Sequence, residues 1–299
     1  MANLIDSLTD YRLAIATARR EHKLSMPRAI RSVLTAKLRY GIGPRFHSLF
    51  ELATHPESAW PDFLLDEPLK VVLRRMNPEQ HREVVNDKLL FMNHCMAHGI
   101  ATIPLVCAVD RHPRTACPPA LLAKDQSDWC RLIDAGPDEQ FVKLINGSWG
   151  LDAFLIERRD GQWHYCGQSG DSAALYAFAM ERLGQRRGWI VQPRIRPHPA
   201  LQAIMSSHGL GTFRVVSVLD NDTPRILYAV LRIPVGMNRA DNFVHGSSGN
   251  LIAAVDLATG ELHRARGSKN PSWPVMINVD RHPETGNTIL ECRFQSGTR

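Results

Sequence analysis

The chain has 299 residues, 44% of them apolar and 22% charged, which supplies one or two globular cores and excludes a disordered polymer. Its formal charge of +6 and pI near 9.1 favour an anionic partner, with nucleotide, acidic polymer and membrane headgroup all qualifying. Six cysteines (Cys95, Cys107, Cys117, Cys130, Cys166, Cys292) form no CxxC pair, so neither a zinc knuckle nor a disulfide framework is indicated, and reduced, cytoplasmic thiols are expected.

At the N-terminus Asp6, Asp10, Arg12 and Arg19 interrupt every apolar run before it reaches the length of a signal core or a membrane span. No targeting or transmembrane segment is expected. Across residues 4–38 apolar side chains recur at helical spacing among Arg19, Arg20, Lys23, Arg28, Arg31 and Lys37, which predicts one or two basic amphipathic helices. Such helices pack on a neighbouring domain or, as the alternative, dock on a membrane surface. Asn77-Pro78 reads as a helix start with proline at the first helical position, and Asp87 as the cap of a helix over 88–99. IATIPLVCAV reads as a first strand. Residues 110–137, rich in Pro, Asp and Cys, read as a connector to the strand FVKLI.

Beyond that strand, AFLIER and WHYC pair through Asp160-Gly161 as a hairpin, and SAALYAFAMERL is helical. WIVQPRI is a strand and PALQAIM a short helix. FRVVSVL and ILYAVLRI pair through DNDTP, and NLIAAVDLATGELHRA folds back at Thr259-Gly260. Strands dominate the second half with helices between them, so the class is α+β rather than doubly wound.

Two lysines carry most of the chemistry. Lys88 opens a helix in NDKLLF, and Lys143 lies near the end of a strand in FVKLINGSWG. A strand lysine beside a glycine loop suits phosphate binding, because backbone N–H groups at Asn146, Gly147, Ser148 and Gly150 can line an anion where bulkier chain could not approach. Each has an ordinary alternative: Lys143 as the solvent side of an alternating strand, the glycines as turn formers, Arg214 as the partner of a surface acid, Asp256 as a turn residue. His94 and His98 stand at i and i+4 on one helix, but no third metal ligand accompanies them, so a surface helix is expected. There is no Walker A loop, no GxGxxG and no nucleophile elbow. Aromatic residues are 7% and interleave with no basic platform, which counts against a nucleic-acid partner.

NDK at a helix start, GIATIP, FVKLINGSWG, IVQPRI, TFRVVSVL, ADNFVHGSSGN, AVDLATGEL and HPETG, in that order, resemble the ATP-grasp family, specifically its sugar-transfer-associated, alpha-L-glutamate ligase-like branch. The resemblance implies an ATP-grasp fold in which two α+β subdomains clamp a nucleotide, here 81–190 and 191–299, preceded by a helical region over 1–80. It implies ATP and Mg2+ as cofactors, and a ligase that forms an acyl phosphate from a carboxylate and transfers the acyl group to an amine or hydroxyl co-substrate. Lys88 and Lys143 would bind phosphates, with the loop of Asn146, Gly147, Ser148 and Gly150 over them. Val191, Gln192 and Pro193 would meet adenine, Pro193 standing where the family often has glutamate. Arg214, with Asn242 and Asp241, would face the transferred phosphate, and Asp256 is the remaining candidate for Mg2+. The family continues past HPxTG to an aspartate strand and a Glu-x-Asn, which this sequence lacks after His282. The second subdomain is therefore read as C-terminally incomplete and the chain as a poor or inactive ligase. Two functions stay open: a ligase in polysaccharide or amino-acid conjugate biosynthesis, and a noncatalytic nucleotide-binding or scaffolding relative.

Overall fold

The computed structural model describes residues 7–63, 65–112, 118–147, 150, 152–205, 209–238 and 240–290. In chain order the helices are α1 (Leu8–Arg20), α2 (Met26–Tyr40), α3 (Pro44–Leu49), α4 (Asp66–Met76), α5 (Arg82–Asn86), α6 (Lys88–Ala97), α7 (Gln126–Ala135), α8 (Ser172–Leu183) and α9 (Pro199–Gln202). The strands are β1 (Cys107–Asp110), β2 (Glu139–Leu144), β3 (Phe154–Arg159), β4 (Gln162–Tyr165), β5 (Gln168–Gly170), β6 (Gly188–Pro193), β7 (Thr212–Asp220), β8 (Thr223–Ile233), β9 (Leu251–Val255), β10 (Leu262–Ser268) and β11 (Met276–Asn278). All strands pair antiparallel, in sheets of six (β1-β6-β2-β3-β4-β5) and five (β11-β10-β9-β8-β7), so the class is α+β with a helical N-terminal region.

Chain contacts divide the molecule into one unit of residues 70–195 and another of 1–69 with 196–299. The N-terminal helices share a unit with the C-terminal sheet. In the 70–195 unit the period-2 pattern of β2 sends Val142 and Leu144 to one face, where Trp129, Leu132 and Ile133 of α7 and Leu175, Ala179 and Leu183 of α8 close over Phe154, Ile156, Trp163, Trp189 and Val191. Burying one such Leu or Ile contributes about 1.5–3 kcal/mol. The opposite face of the sheet takes α6, whose Leu89 and Met92 cluster with Ala108, Ile145 and Ile190. Gly188 permits the close approach of β6 to β1, since a Cβ there would lie 1.9 Å from the Val109 carbonyl oxygen.

In the other unit, Leu201, Ile204 and Met205 cover Leu231, Ile233, Leu251, Ala253, Leu262 and Ala265 of the five-stranded sheet. The helices join it through Trp273, which packs with Ala14 and Val33 and donates its indole N–H to Thr17 Oγ1 at 3.1 Å. An ion pair of Arg266 with Glu51 at 2.6 Å makes a second tie.

Several expectations change. Residues 110–137 are not a plain connector: α7 lies there, capped by the Asp125 side chain on the Asp128 N–H, with Trp129, Leu132 and Ile133 at helical spacing. Of IATIPLVCAV only β1 is extended in the sheet, since Pro104 has no N–H for a ladder. Pro78 is the cap of a 3-10 turn (Glu79–His81) that leads into α5, one residue before the first helical position. Asp160 and Gly161, with φ of 51° and 76°, make the expected tight turn between β3 and β4. No helix among the described residues is long and apolar enough to cross a membrane.

Candidate functional site

Asp87 caps α6 by accepting from the Leu89 and Leu90 N–H groups at 2.9 and 3.1 Å, which fixes Lys88 as the first residue of the helix. Lys88 then turns back onto the glycine loop. Its backbone N–H donates to the Ile145 carbonyl, and its Nζ donates to the Ile145 and Gly147 carbonyls at 3.4 and 2.7 Å. Lys143 sits on the α6 face of the sheet, in register with Ile190, because Val142 and Leu144 take the other face. It makes no hydrogen bond or ion pair among the described residues, although it is only half-exposed.

The electrostatics follow from that placement. Burial pulls the Lys143 ammonium below the usual lysine range, and the neighbouring Lys88 charge pulls it further. Burial also lowers Lys88, with Asp87 opposing. Two cations near enough to disfavour each other, one of them unpartnered, form a site that an anion would relieve.

A buried charge network braces this pair. Arg187 donates from Nε and Nη2 to the Asp110 carboxylate at 2.9 and 2.6 Å, from Nη1 to Asp87 Oδ2, and to Asn146 Oδ1 at 3.4 Å. One guanidinium thereby joins the end of β1, the cap of α6 and the loop after β2. The Asp110 hydrogen bonds, and then those to Asp87, raise its pKa further above the ordinary guanidinium value. No local pattern marks Arg187 in the sequence, since Asp110 and Asp87 lie 77 and 100 residues away.

The rest of the expected loop is placed in part. Asn146 is exposed, Gly150 has a φ of 71°, and Ser148 lies outside the described residues. Val191, Gln192 and Pro193 belong to β6, between β1 and β2. The Val191 carbonyl already accepts from Val106 N–H at 2.8 Å. Gln192 is buried, donates to the Ile103 carbonyl at 2.9 Å and keeps its Oε1 without a hydrogen-bond partner among the described residues. That orphaned acceptor suits a donor such as an exocyclic amine.

In the other unit Arg214 projects from β7, exposed and without a partner among the described residues. Beside it stands Arg232 of β8, which sequence reasoning missed: a single arginine in the apolar run ILYAVLRI. Its guanidinium donates to Thr212 Oγ1 at 2.7 Å and to Asn242 Oδ1 at 3.0 Å, and pairs with Asp241 Oδ1 at 3.1 Å. Burial lowers its pKa from the ordinary value, Asp241 opposes, and Arg214 adds to the fall. Asn242 is held from behind as well, because the buried Asn250 amide donates to the carbonyls of Ala240 and Asn242 at 2.8 and 2.9 Å. His282 of HPETG has a structural task. Its Nδ1 accepts from the Glu284 and Thr285 N–H groups, each at 3.3 Å, which leaves Nε2–H to donate to the Pro234 carbonyl at 3.2 Å.

Asp256 occupies the turn between β9 and β10, where its Oδ1 accepts from the Ala258 and Thr259 N–H groups at 2.9 and 2.8 Å. Those backbone bonds, Thr259 first, lower its pKa. Among the described residues there is no group of three His, Cys, Asp or Glu that could hold a metal ion. The His94 and His98 rings lie tilted at 42° with centroids 4.4 Å apart, and His98 Nδ1 bonds the His94 carbonyl.

The family model for sugar-transfer associated ATP-grasp matches residues 71–294. Comparison with curated proteins and with solved structures gives no match.

Proposed function

Since the chain belongs to the sugar-transfer associated ATP-grasp family, we propose that it binds ATP and spends the γ-phosphate on activating a carboxylate for ligation. A carboxylate oxygen attacks the γ-phosphorus, ADP leaves, and an acyl phosphate results. An amine nitrogen or hydroxyl oxygen then attacks the acyl carbon, phosphate leaves, and the nucleophile loses its proton. The observation that carries this reading is Lys143: a half-buried ammonium without a partner among the described residues, depressed by burial and by Lys88.

The residues take the following roles. Lys143 and Lys88 are point charges on the phosphates, Lys88 being aimed by its two loop carbonyls. Asn146, Gly147 and Gly150 are assigned to the phosphate-covering segment, the expected Ser148 lying outside the described residues. The Gln192–Pro193 end of β6 receives adenine, with Gln192 Oε1 as an available acceptor. Arg214 is a planar two-donor guanidinium suited to offset negative charge growing on a transferred phosphate, and Arg232 holds Asn242 by a hydrogen bond to its Oδ1. We infer that the acceptor belongs to sugar, polysaccharide or amino-acid conjugate chemistry, a reading that the sugar-transfer association of the family supports in its first part.

The test is phosphate release from ATP by the purified chain across a panel of carboxylic acids, with hydroxylamine added to trap the acyl phosphate as a hydroxamate. The ligase reading requires a carboxylate-dependent hydroxamate. Saturable ATP binding with no release across the panel would favour the noncatalytic nucleotide-binding relative instead.

A further inference from the structure

Helix α2 turns its largest apolar side chains to solvent. It buries the small residues Ala29, Val33 and Ala36, against Ala14, Trp273 and the cluster of Ile42, Leu52 and Trp60. Met26, Ile30, Leu34 and Leu38 remain 46%, 37%, 41% and 83% exposed. Spacing of four aligns them along one side of the helix, next to the packed stripe rather than within it. A helix seated on a globular unit needs one apolar stripe, and α2 has a second one.

The segment that carries that second stripe is basic. Residues 22–50 contain Lys23, Arg28, Arg31, Lys37, Arg39 and Arg45 and no Asp or Glu. Arg39 is engaged by Glu57 and Arg45 by the Ser272 carbonyl, whereas Lys23, Arg28 and Arg31 have no ion-pair partner among the described residues. On α1, Leu8 is exposed alongside Arg12, Arg19 and Arg20. Self-association through this face would set cations against cations, which disfavours a second copy as the occupant.

We propose that the outward face of α2 docks on an anionic lipid bilayer. The stripe of Met26, Ile30, Leu34 and Leu38 enters the headgroup–acyl boundary with the helix lying in the plane of the surface, and the unpaired cations meet lipid phosphates and carboxylates. This docking is independent of the nucleotide reading, because none of these residues belongs to the proposed ATP-binding set.

The test is co-sedimentation of the full chain with vesicles of phosphatidylcholine alone and of phosphatidylcholine with phosphatidylserine, at low and high salt. Pelleting is expected with the anionic vesicles only, and salt should weaken it. Each of Arg28→Gln and Arg31→Gln should weaken partition about fivefold. Leu34→Ser with Leu38→Ser should abolish it while thermal unfolding stays unchanged. Equal pelleting with both vesicle types, no pelleting at all, or retention by the serine variant would overturn the proposal. So would a dimer that this variant breaks in the absence of any vesicle binding. Should the serine variant fail to fold, the two glutamine variants decide, since their side chains lie in solvent.

Discussion

Replacing Lys143 by Met should weaken ATP binding without destabilising the protein. The ammonium has no partner among the described residues, so its removal orphans no acceptor, and the methionine stem keeps the packing on the α6 face of the sheet. Burial and the Lys88 charge both hold Lys143 below its ordinary value of 10.5. Between that lowered value and 10.5 the unfolded chain binds more protons than the folded one, so in the ligand-free protein this lysine's contribution to stability rises with pH across that window. Neutralising the position should therefore leave the melting temperature at neutral pH unchanged or higher. A charge-assisted contact to phosphate is worth about 1.5–3 kcal/mol, or about ten- to a hundredfold in affinity. Calorimetry with a nonhydrolysable ATP analogue, with adenosine as the control, measures it: the analogue should weaken by that factor and adenosine should not. In the wild type, analogue affinity should fall on the alkaline side at a lower pH than an ordinary lysine would dictate, because only the charged form attracts phosphate. Unchanged affinity in folded Lys143→Met would refute the phosphate assignment. A marked loss of stability would show instead that the charge serves the fold.

Arg187→Met should cost about 3–5 kcal/mol in urea denaturation, because it leaves the buried carboxylates Asp87 and Asp110 uncompensated; a cost below about 1 kcal/mol would mean the network is slack. His47 is buried, bonds Ser32 Oγ at 2.8 Å, and is held at a pKa of about 4 by burial and then by His22. Its folded value lies below the unfolded 6.5, so stability should fall as pH drops from 6.5 toward 4, by about 3 kcal/mol in all, and His47→Gln should flatten that limb of the pH–stability curve. Arg214→Lys should leave ADP affinity nearly intact while slowing any ATP turnover, since lysine lacks the planar two-donor fork; equal turnover would remove Arg214 from the transferred phosphate.

Much of this fold was legible because local signals coincided with packing. Asp87 as a cap, Asp160-Gly161 as a turn and the alternation of β2 each specify geometry within a few residues, and each takes the expected form. Helix α7 was passed over although Asp125, Trp129, Leu132 and Ile133 carried its cap and its period; the Pro and Cys residues just before it masked the pattern. For the site, the lysines could be read because a strand lysine before a glycine loop is a local juxtaposition. The two arginine-centred networks could not. Arg187 gains its meaning only when β6 brings it beside Asp110, and Arg232 only when β7 and Asn242 close around it. Asp256 shows the reverse case, in which a candidate carboxylate is engaged by the turn it caps.

The central claim is that the paired lysines form a phosphate site for ATP. Titration of the wild-type chain with a nonhydrolysable ATP analogue tests it most directly. Saturable binding to a single site, weaker for ADP and weaker again for adenosine, is the predicted result, because each phosphate removed takes charge away from Lys88 and Lys143. No binding by the folded chain, or equal affinity for the analogue and for adenosine, would contradict it.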